Sequence, residues 1–211
     1  MPVPDGNLNA PQGSAEWLQA RVGRLTASRF NDVLAKPETA AYRGYLLQIV
    51  TERLTGQPQE SGYVNDAMTW GTETEPLARH AYQTETGDVV TECGLVLLDD
   101  WIAGSPDGLL GDDGVVEFKC PKSTTHVDWI DAGKLPARHK AQVQGLLLIT
   151  GRQWAHFVTF DPRMPLHLRL WIHEVKADAK YQAELLDKLH AFRTEAEKKI
   201  DKLGGMHWLT R

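Results

Sequence analysis

The stretch Ser105-Pro106-Asp107-Gly108-Leu109-Leu110-Gly111-Asp112-Asp113-Gly114-Val115-Val116-Glu117-Phe118-Lys119-Cys120-Pro121 constrains the fold more than any other part of the chain. It reads as strand, tight turn, strand. Asp112-Asp113-Gly114 suits a three-residue hairpin loop, a type I turn closed by a glycine in the left-handed region. That loop pairs Gly111 with Val115, Leu109 with Glu117 and Asp107 with Lys119. Side chains alternate faces along a strand, so Asp107, Glu117 and Lys119 then share one face. A four-residue loop, Gly111 to Gly114, would turn Asp107 to the other face.

An Asp, a Glu and a Lys on one sheet face have a chemical logic. Two carboxylates suit Mg²⁺ or Mn²⁺, which favour hard oxygen ligands. Such an ion polarises a phosphodiester oxygen and lowers the pKa of a bound water. The lysine orients that water or stabilises charge developing on phosphate. A bare Pro-Asp-Gly turn followed by an ordinary alternating strand is the competing reading. Val115-Val116 leading into Glu117-x-Lys119 weighs against it.

The rest of the composition is that of an ordinary globular protein. Its 211 residues, 42% apolar and 24% charged, can bury about 70% of the unfolded surface without disulfide or metal staples. No apolar run reaches membrane-spanning length, and no signal peptide is recognisable. Cys93 and Cys120 fall in predicted strands, and a reduced, cytosolic state is the expectation. Two cysteines cannot complete a Cys₄ iron–sulfur or zinc site, and the eight histidines contain no His-x-His pair. The net charge of −5 gives no general attraction for nucleic acid, so phosphate contacts must come from local basic spots.

Residues 1–13 read as a loose arm. A short helix follows over Ser14–Ala20, with Ser14 as N-cap. Gly23-Arg24-Leu25-Thr26 breaks it, and a second helix begins near Ala27 or Ser28. Helices are predicted over 40–54 and 66–86, with Gly56 and Gly87 past their ends. Val89–Leu98, Trp101–Leu110 and Val115–Cys120 are predicted strands. Pro136–Ile149 is a helix closed by Gly151, and Gln153–Phe160 and Leu166–Val175 are strands. A final helix spans Asp178–Leu203, with Tyr181, Leu185, Leu189, Phe192, Ala196, Ile200 and Leu203 as its apolar stripe. With no repeat and no linker, one domain over 1–211 is expected. The element order suits an α/β fold with a central mixed sheet flanked by helices. Most of the seven tryptophans sit on amphipathic segments and read as core, with Trp129 and Trp208 the better candidates for exposure.

Pro106-Asp107, nine intervening residues and Glu117-x-Lys119 resemble the PD-(D/E)xK nuclease signature. More narrowly, the chain resembles the lambda-exonuclease type, the YqaJ-like viral recombinases. The matching blocks are Trp17-x-x-x-Arg21-x-Gly23 with Thr26-Ala27-Ser28, Trp70-Gly71-x-x-x-Glu75, and Ser105-Pro106-Asp107-Gly108-Leu109. They continue with Glu117-x-Lys119-Cys120-Pro121, Ala141-Gln142-Val143-Gln144 and Asp161-Pro162-Arg163-Met164. They run in the family's order across roughly residues 16–176.

The resemblance implies a restriction-endonuclease-like core and a Mg²⁺-dependent exonuclease. Such an enzyme digests linear double-stranded DNA from the 5′ end and releases 5′-mononucleotides in phage-type recombination. It implies metal binding by Asp107, Glu117, the Phe118 carbonyl and Glu75, with Lys119 positioning or activating water. Glu73 is as good as Glu75 on periodicity alone. Gln142 and Gln144 face different ways on one helix, and the match selects Gln142 to orient a water or phosphate. Arg21, Ser28 and Ser105 are implied to hold the terminal 5′-phosphate, whereas spacing alone makes Ser28 an N-cap and Arg21 a solvated surface residue. Arg24 lies outside the family pattern. Also implied are a homotrimer around DNA and a single-strand annealing protein as partner. The cysteine count disfavours relatives that carry an iron–sulfur cluster. The alternatives are an endonuclease on the same core, or a non-catalytic DNA-binding or assembly module.

Overall fold

The computed structural model describes residues 10–59 and 66–204. The expectations for residues 1–9 and for Trp208 fall outside them. Helix α1 (Ala15–Arg21) starts where Ser14 Oγ accepts the Trp17 amide at 3.1 Å, as a serine N-cap should. Gly23 turns the chain with φ +67°. Strand β1 (Leu25–Thr26), a 3₁₀ turn (Ala27–Arg29) and helix α2 (Phe30–Leu34) follow. Helix α3 (Ala40–Thr55) ends at Gly56, and α4 (Asp66–Thr86) carries Pro76 directly after Glu75. Next come β2 (Val90–Thr91), β3 (Val96–Leu97), β4 (Ile102–Gly104), β5 (Gly108–Leu110) and β6 (Gly114–Lys119). Then α5 (Ser123–Ala132), α6 (Ala137–Thr150), β7 (Trp154–Phe160), β8 (Leu170–Lys176) and α7 (Ala179–Gly204) complete the order.

Among the described residues the strands form two mixed sheets, not one. A three-stranded sheet runs β1-β4-β3 and a five-stranded sheet β2-β5-β6-β7-β8. The predicted strand Val89–Leu98 therefore divides into β2 and β3, and Trp101–Leu110 into β4 and β5, each half in a different sheet. Ser105-Pro106-Asp107 is the crossing between sheets. Proline has no N–H for a ladder, so this is where pairing can lapse. Both cysteines lie beside strands rather than in them: Cys93 between β2 and β3, Cys120 just past β6.

The hairpin register also differs from expectation. Leu109 faces Val115 and Leu110 faces Gly114, so the loop is Gly111-Asp112-Asp113. Gly111, not Gly114, takes the left-handed conformation, at φ +48°. The slip is two residues, and the side-chain period is two, so Asp107, Glu117 and Lys119 keep their common face.

Strand β6 lies between antiparallel β5 and parallel β7. Its two faces serve different cores. Val115, with Ala155 and Phe157 of β7, joins the cluster built by α2, α3, α6 and α7. Val116 and Phe118, with Val158 and Phe160, pack against Ala78 and Tyr82 of α4. The α7 stripe buries Leu185, Leu189, Phe192 and Ala196, while Leu203 is exposed. Asp178 accepts the Tyr181 amide and caps α7 instead of belonging to it. The predicted strand Leu166–Val175 opens as a 3₁₀ turn, Leu166–Leu168. Helix α5 was not foreseen. It buries Trp129 to 6% exposure, so that indole is core rather than exposed. No helix among the described residues is long and apolar enough to cross a membrane.

Two of the sequence blocks act as a clamp. Arg163 donates to both carboxylate oxygens of Asp161, at 2.7 and 2.9 Å, and its guanidinium lies 4.2 Å from the Trp70 ring centre. This ties the start of α4 to the end of β7. Burial pushes the Asp161 carboxyl up, but hydrogen bonds from Arg163 and Ser123 outweigh it and hold the pKa at about 2.

Two stability predictions follow from these contacts. A methyl at Gly145 would lie 2.4 Å from the ring of Phe30, which is fully buried. Overpacking costs about 1–3 kcal/mol, against about 1 kcal/mol gained in helix propensity. Gly145→Ala should therefore lower Tm by roughly 2–4 °C, and a raised Tm would refute this packing. A depressed carboxyl pKa stabilises above its unfolded value and loses that contribution as pH falls through the folded one. Asp161→Asn should lower Tm by roughly 3–8 °C at pH 7. The gap should close between about pH 4 and pH 2, and calorimetry across that range would show it.

Candidate active site

The crossing between the sheets places Asp107 against the end of β6. Its carbonyl accepts Arg79 Nη2 at 2.8 Å, and its Oδ2 accepts the Phe118 amide at 2.7 Å. Glu117 projects on the α6 side of β6 and is 1% exposed. Its Oε1 accepts Lys119 Nζ and Gln142 Nε2. Its Oε2 is buried with no hydrogen-bond donor among the described residues. Glu75, on α4, completes the group. Glu73 is exposed, so tertiary packing separates two carboxylates that periodicity could not.

The electrostatics are those of like charges held together out of water. Desolvation, reinforced by the Asp107 charge and offset in part by Lys119 and Arg79, pushes Glu75 up to about 7. Desolvation, with Asp107 and Glu75 adding to it, pushes Glu117 up to about 8. Desolvation also raises Asp107, with Lys119, the Phe118 amide and Arg79 pulling the other way. Burial would lower the Lys119 pKa, but the surrounding carboxylates overcome this and raise it. Lys119 is therefore an ammonium at neutral pH.

Arg21, Ser28, Ser105, Asp107, Glu117, Lys119 and Gln142 line a single cavity of about 160 Å³. Glu75 and Phe118 border a neighbouring cavity of about 480 Å³, which Lys119 also lines. The Phe118 ring itself is buried, edge-on to Tyr82 at 5.8 Å. On the first cavity's far wall, Trp17 Nε1 donates to Ser105 Oγ at 2.9 Å, and the Arg21 guanidinium stacks 4.2 Å from the Trp17 ring centre. Arg24 does not line this cavity; its Nη1 donates to the Ala20 carbonyl. Gln144 is buried and bonds the Lys176 carbonyl and the Asp178 amide. Of the two glutamines, Gln142 alone reaches Glu117.

Several residues that build the site were not singled out from the sequence. Arg79 lies one turn beyond Glu75 on the same helix face, a spacing that could have found it. Glu52, 4% exposed, accepts the Gly23 amide at 2.7 Å and the Gln59 amide at 3.1 Å. It thereby holds the turn that presents Arg21. Gln12 donates to the Pro106 carbonyl at 3.0 Å, and no local signal marks it.

No three carboxylate, imidazole or thiol groups among the described residues form a ready-made ligand set. Asp107 Oδ2 and Glu117 Oε1 are occupied by protein donors. The chemistry still fits a hard divalent cation. A buried carboxylate oxygen lacks a donor, and the Asp107 charge helps hold up both Glu75 and Glu117 where a cation would relieve them.

Comparison with known proteins bears on the fold and the family. The chain is similar to an alkaline exonuclease (LHK-Exo) from Laribacter hongkongensis, with 38% identity and a TM-score of 0.84 over 90% of this chain and 96% of that one. A structure of the same enzyme in complex with dAMP superposes with the same identity, coverage and TM-score. A phage-related exonuclease from Haemophilus somnus shares the fold at 15% identity and a TM-score of 0.62, over 85% of this chain and 94% of that one. No curated protein sequence matches the chain. The model of the YqaJ-like viral recombinase domain matches residues 16–153. The family model covers well over half of the chain and the Laribacter enzyme shares its fold at 38% identity, so the chain belongs to the YqaJ-like viral recombinase family.

Proposed function

We propose that this deoxyribonuclease is a Mg²⁺-dependent 5′-to-3′ exonuclease that degrades linear double-stranded DNA from its ends and releases 5′-mononucleotides. One observation carries the reading. The Asp107, Glu117 and Lys119 set and the Arg21, Ser28 and Ser105 set line one cavity. A terminal phosphate and a phosphodiester to be cut can therefore be held side by side. The dAMP complex of the Laribacter enzyme supports a mononucleotide product.

Asp107, Glu117, the Phe118 carbonyl and Glu75 would hold the ion, with Mg²⁺ favoured and Mn²⁺ an acceptable substitute. When bound, the ion supplies Lewis-acid polarisation of the phosphate and a water of lowered pKa. Gln142 fixes the Glu117 carboxylate from the α6 side. Lys119, charged, stabilises the negative charge that builds on the phosphate oxygens. Water attacks phosphorus, the P–O3′ bond breaks, and the departing 3′ oxygen takes up a proton. The shortened strand again ends in a 5′-phosphate, the group that Arg21, Ser28 and Ser105 hold, so the next cycle begins from the same contacts.

The setting we propose is phage-type recombination in the host cytoplasm, by a single nuclease domain assembled as a homotrimer around the duplex. The exposed 3′ strand then passes to a single-strand annealing protein. A closed ring gathers a few basic residues along its channel, which suits a chain whose net charge is −5.

Linear 5′-phosphorylated duplex should be degraded with Mg²⁺ and left intact with EDTA. Glu117→Gln and Lys119→Ala should each lower the rate by ~10²–10³. DNA-end binding should survive in both variants, and metal binding should survive in Lys119→Ala. Near wild-type turnover by either one would sink the mechanism. Duplexes ending in a 5′-hydroxyl should be cut more slowly than phosphorylated ones, and Arg21→Ala should erase the difference. Equal wild-type rates on the two ends would remove the end pocket while leaving the nuclease assignment standing.

A further inference from the structure

With the terminal phosphate held on the Arg21 side, the rest of the strand must leave the catalytic centre through another opening. Two cavities adjoin it. One, of about 260 Å³, is lined by Glu75, Glu92 and Asp107 against Arg79 alone. Arg79 is already engaged, donating to the Asp107 carbonyl and lying 3.6 Å from Glu92. Its surface is negative and repels a phosphate backbone. The other, of about 480 Å³, is the larger; its lining holds Lys119, which is paired with Glu117, and Arg138, with Glu75 as its one acidic residue. The polyanion is favoured there.

Arg138 is built for this role. It stands in the first turn of α6, and its carbonyl accepts Asn31 Nδ2, which anchors the backbone. The guanidinium lies 4.7 Å from the ring centre of the buried Trp129. Its Nε donates to His139 Nε2 at 3.2 Å. His139 packs edge-on to Trp129 and against Phe157. Desolvation, with Lys119 and Arg138 nearby, presses the His139 pKa down to about 3, so the ring is a neutral acceptor. These contacts orient the guanidinium plane without using its terminal amines, and no carboxylate among the described residues neutralises it. Arg21 on Trp17, across the catalytic group, is held over an indole in the same way.

We propose that the degraded strand runs through the Lys119–Trp129–His139 cavity and that Arg138 binds the phosphodiester immediately 3′ to the scissile one. This rests on the exonuclease reading above. A planar guanidinium suits two phosphate oxygens, and the Trp129 and His139 contacts bias this exposed one toward a single orientation. The contact holds the strand on the far side of the cut while Arg21, Ser28 and Ser105 hold its end. The scissile phosphate is thereby stretched between two grips over Asp107, Glu117 and Lys119.

The test uses the full chain and a linear 5′-phosphorylated duplex. A single methylphosphonate replaces the linkage immediately 3′ to the first scissile one, and release of the first nucleotide is followed. The neutral linkage should slow the wild type by roughly ten- to a hundredfold. Arg138→Gln should lose a similar factor on natural DNA and nothing further on the modified duplex. Its salt-dependence slope for DNA binding should fall by about one. Arg138→Lys, which keeps the charge, should restore that slope, and all variants should keep the wild-type Tm. Wild-type rates in Arg138→Gln would overturn the proposal, as would a methylphosphonate penalty equal in variant and wild type. An enzyme that cuts linear duplex but ignores Arg138 defeats this inference alone. One that cuts no duplex defeats the exonuclease reading with it.

Discussion

Asp107, Glu117 and Glu75 are confined together beside the central strand of the five-stranded sheet, largely out of water. Burial raises all three, and the Asp107 charge adds to the rise of both glutamates, so the arrangement persists only where the backbone leaves the groups no room to separate. The fold supplies that rigidity. Glu117 lies on β6, paired on both sides. Asp107 is pinned through its carbonyl by Arg79 and through its carboxylate by the Phe118 amide. Glu75 is carried by α4, whose start is clamped through Trp70, Arg163 and Asp161. The strain of like charges is offset in part by Lys119 and Gln142.

A second theme is how a chain of net charge −5 handles its basic groups. Arg21, Arg163, Arg53 and Arg138 each lie over an indole, at 3.7–4.7 Å from the ring centre. An aromatic face holds a guanidinium by its flat side and aims its edge N–H groups, those of Arg163 at Asp161 and those of Arg53 at the Gly23 and Asp100 carbonyls. The tryptophans that might suggest base stacking thus serve largely as shelves for arginine. Local positive spots at defined orientations replace a general basic surface.

Much of the local structure was legible because its causes are local. The Ser14 cap, the glycines past α3, α4 and α6, and the apolar period of α7 depend on a few neighbouring residues. The alternation around Glu117-Phe118-Lys119 also survived an error. The loop was displaced by two residues, yet a two-residue period returns every side chain to its face. What failed depended on distant partners. Whether 101–110 is one strand or two is decided by what pairs with each half, β1 and β3 for one, β6 and β2 for the other. Trp129 and its helix were misjudged because the aromatic cover of Phe157 and His139 comes from elements that follow in the chain.

The site divides in the same way. The sequence by itself determined the chemical inventory: a hard-ligand carboxylate pair with a lysine two residues on, an arginine and serines in the first blocks, and the family to which they belong. Residue type and short-range order suffice for that. Only the tertiary structure decided which members of that inventory meet. Periodicity left Glu75 and Glu73 equal, and the family blocks pointed to Glu75 and Gln142; packing put both beside Glu117, placed Gln144 and Arg24 elsewhere, and recruited Arg79, Glu52 and Gln12, which no block had marked. It also set the site's electrostatics. Burial and through-space charge depend on distances between side chains remote in sequence, and those distances exist only once the sheets and helices have packed.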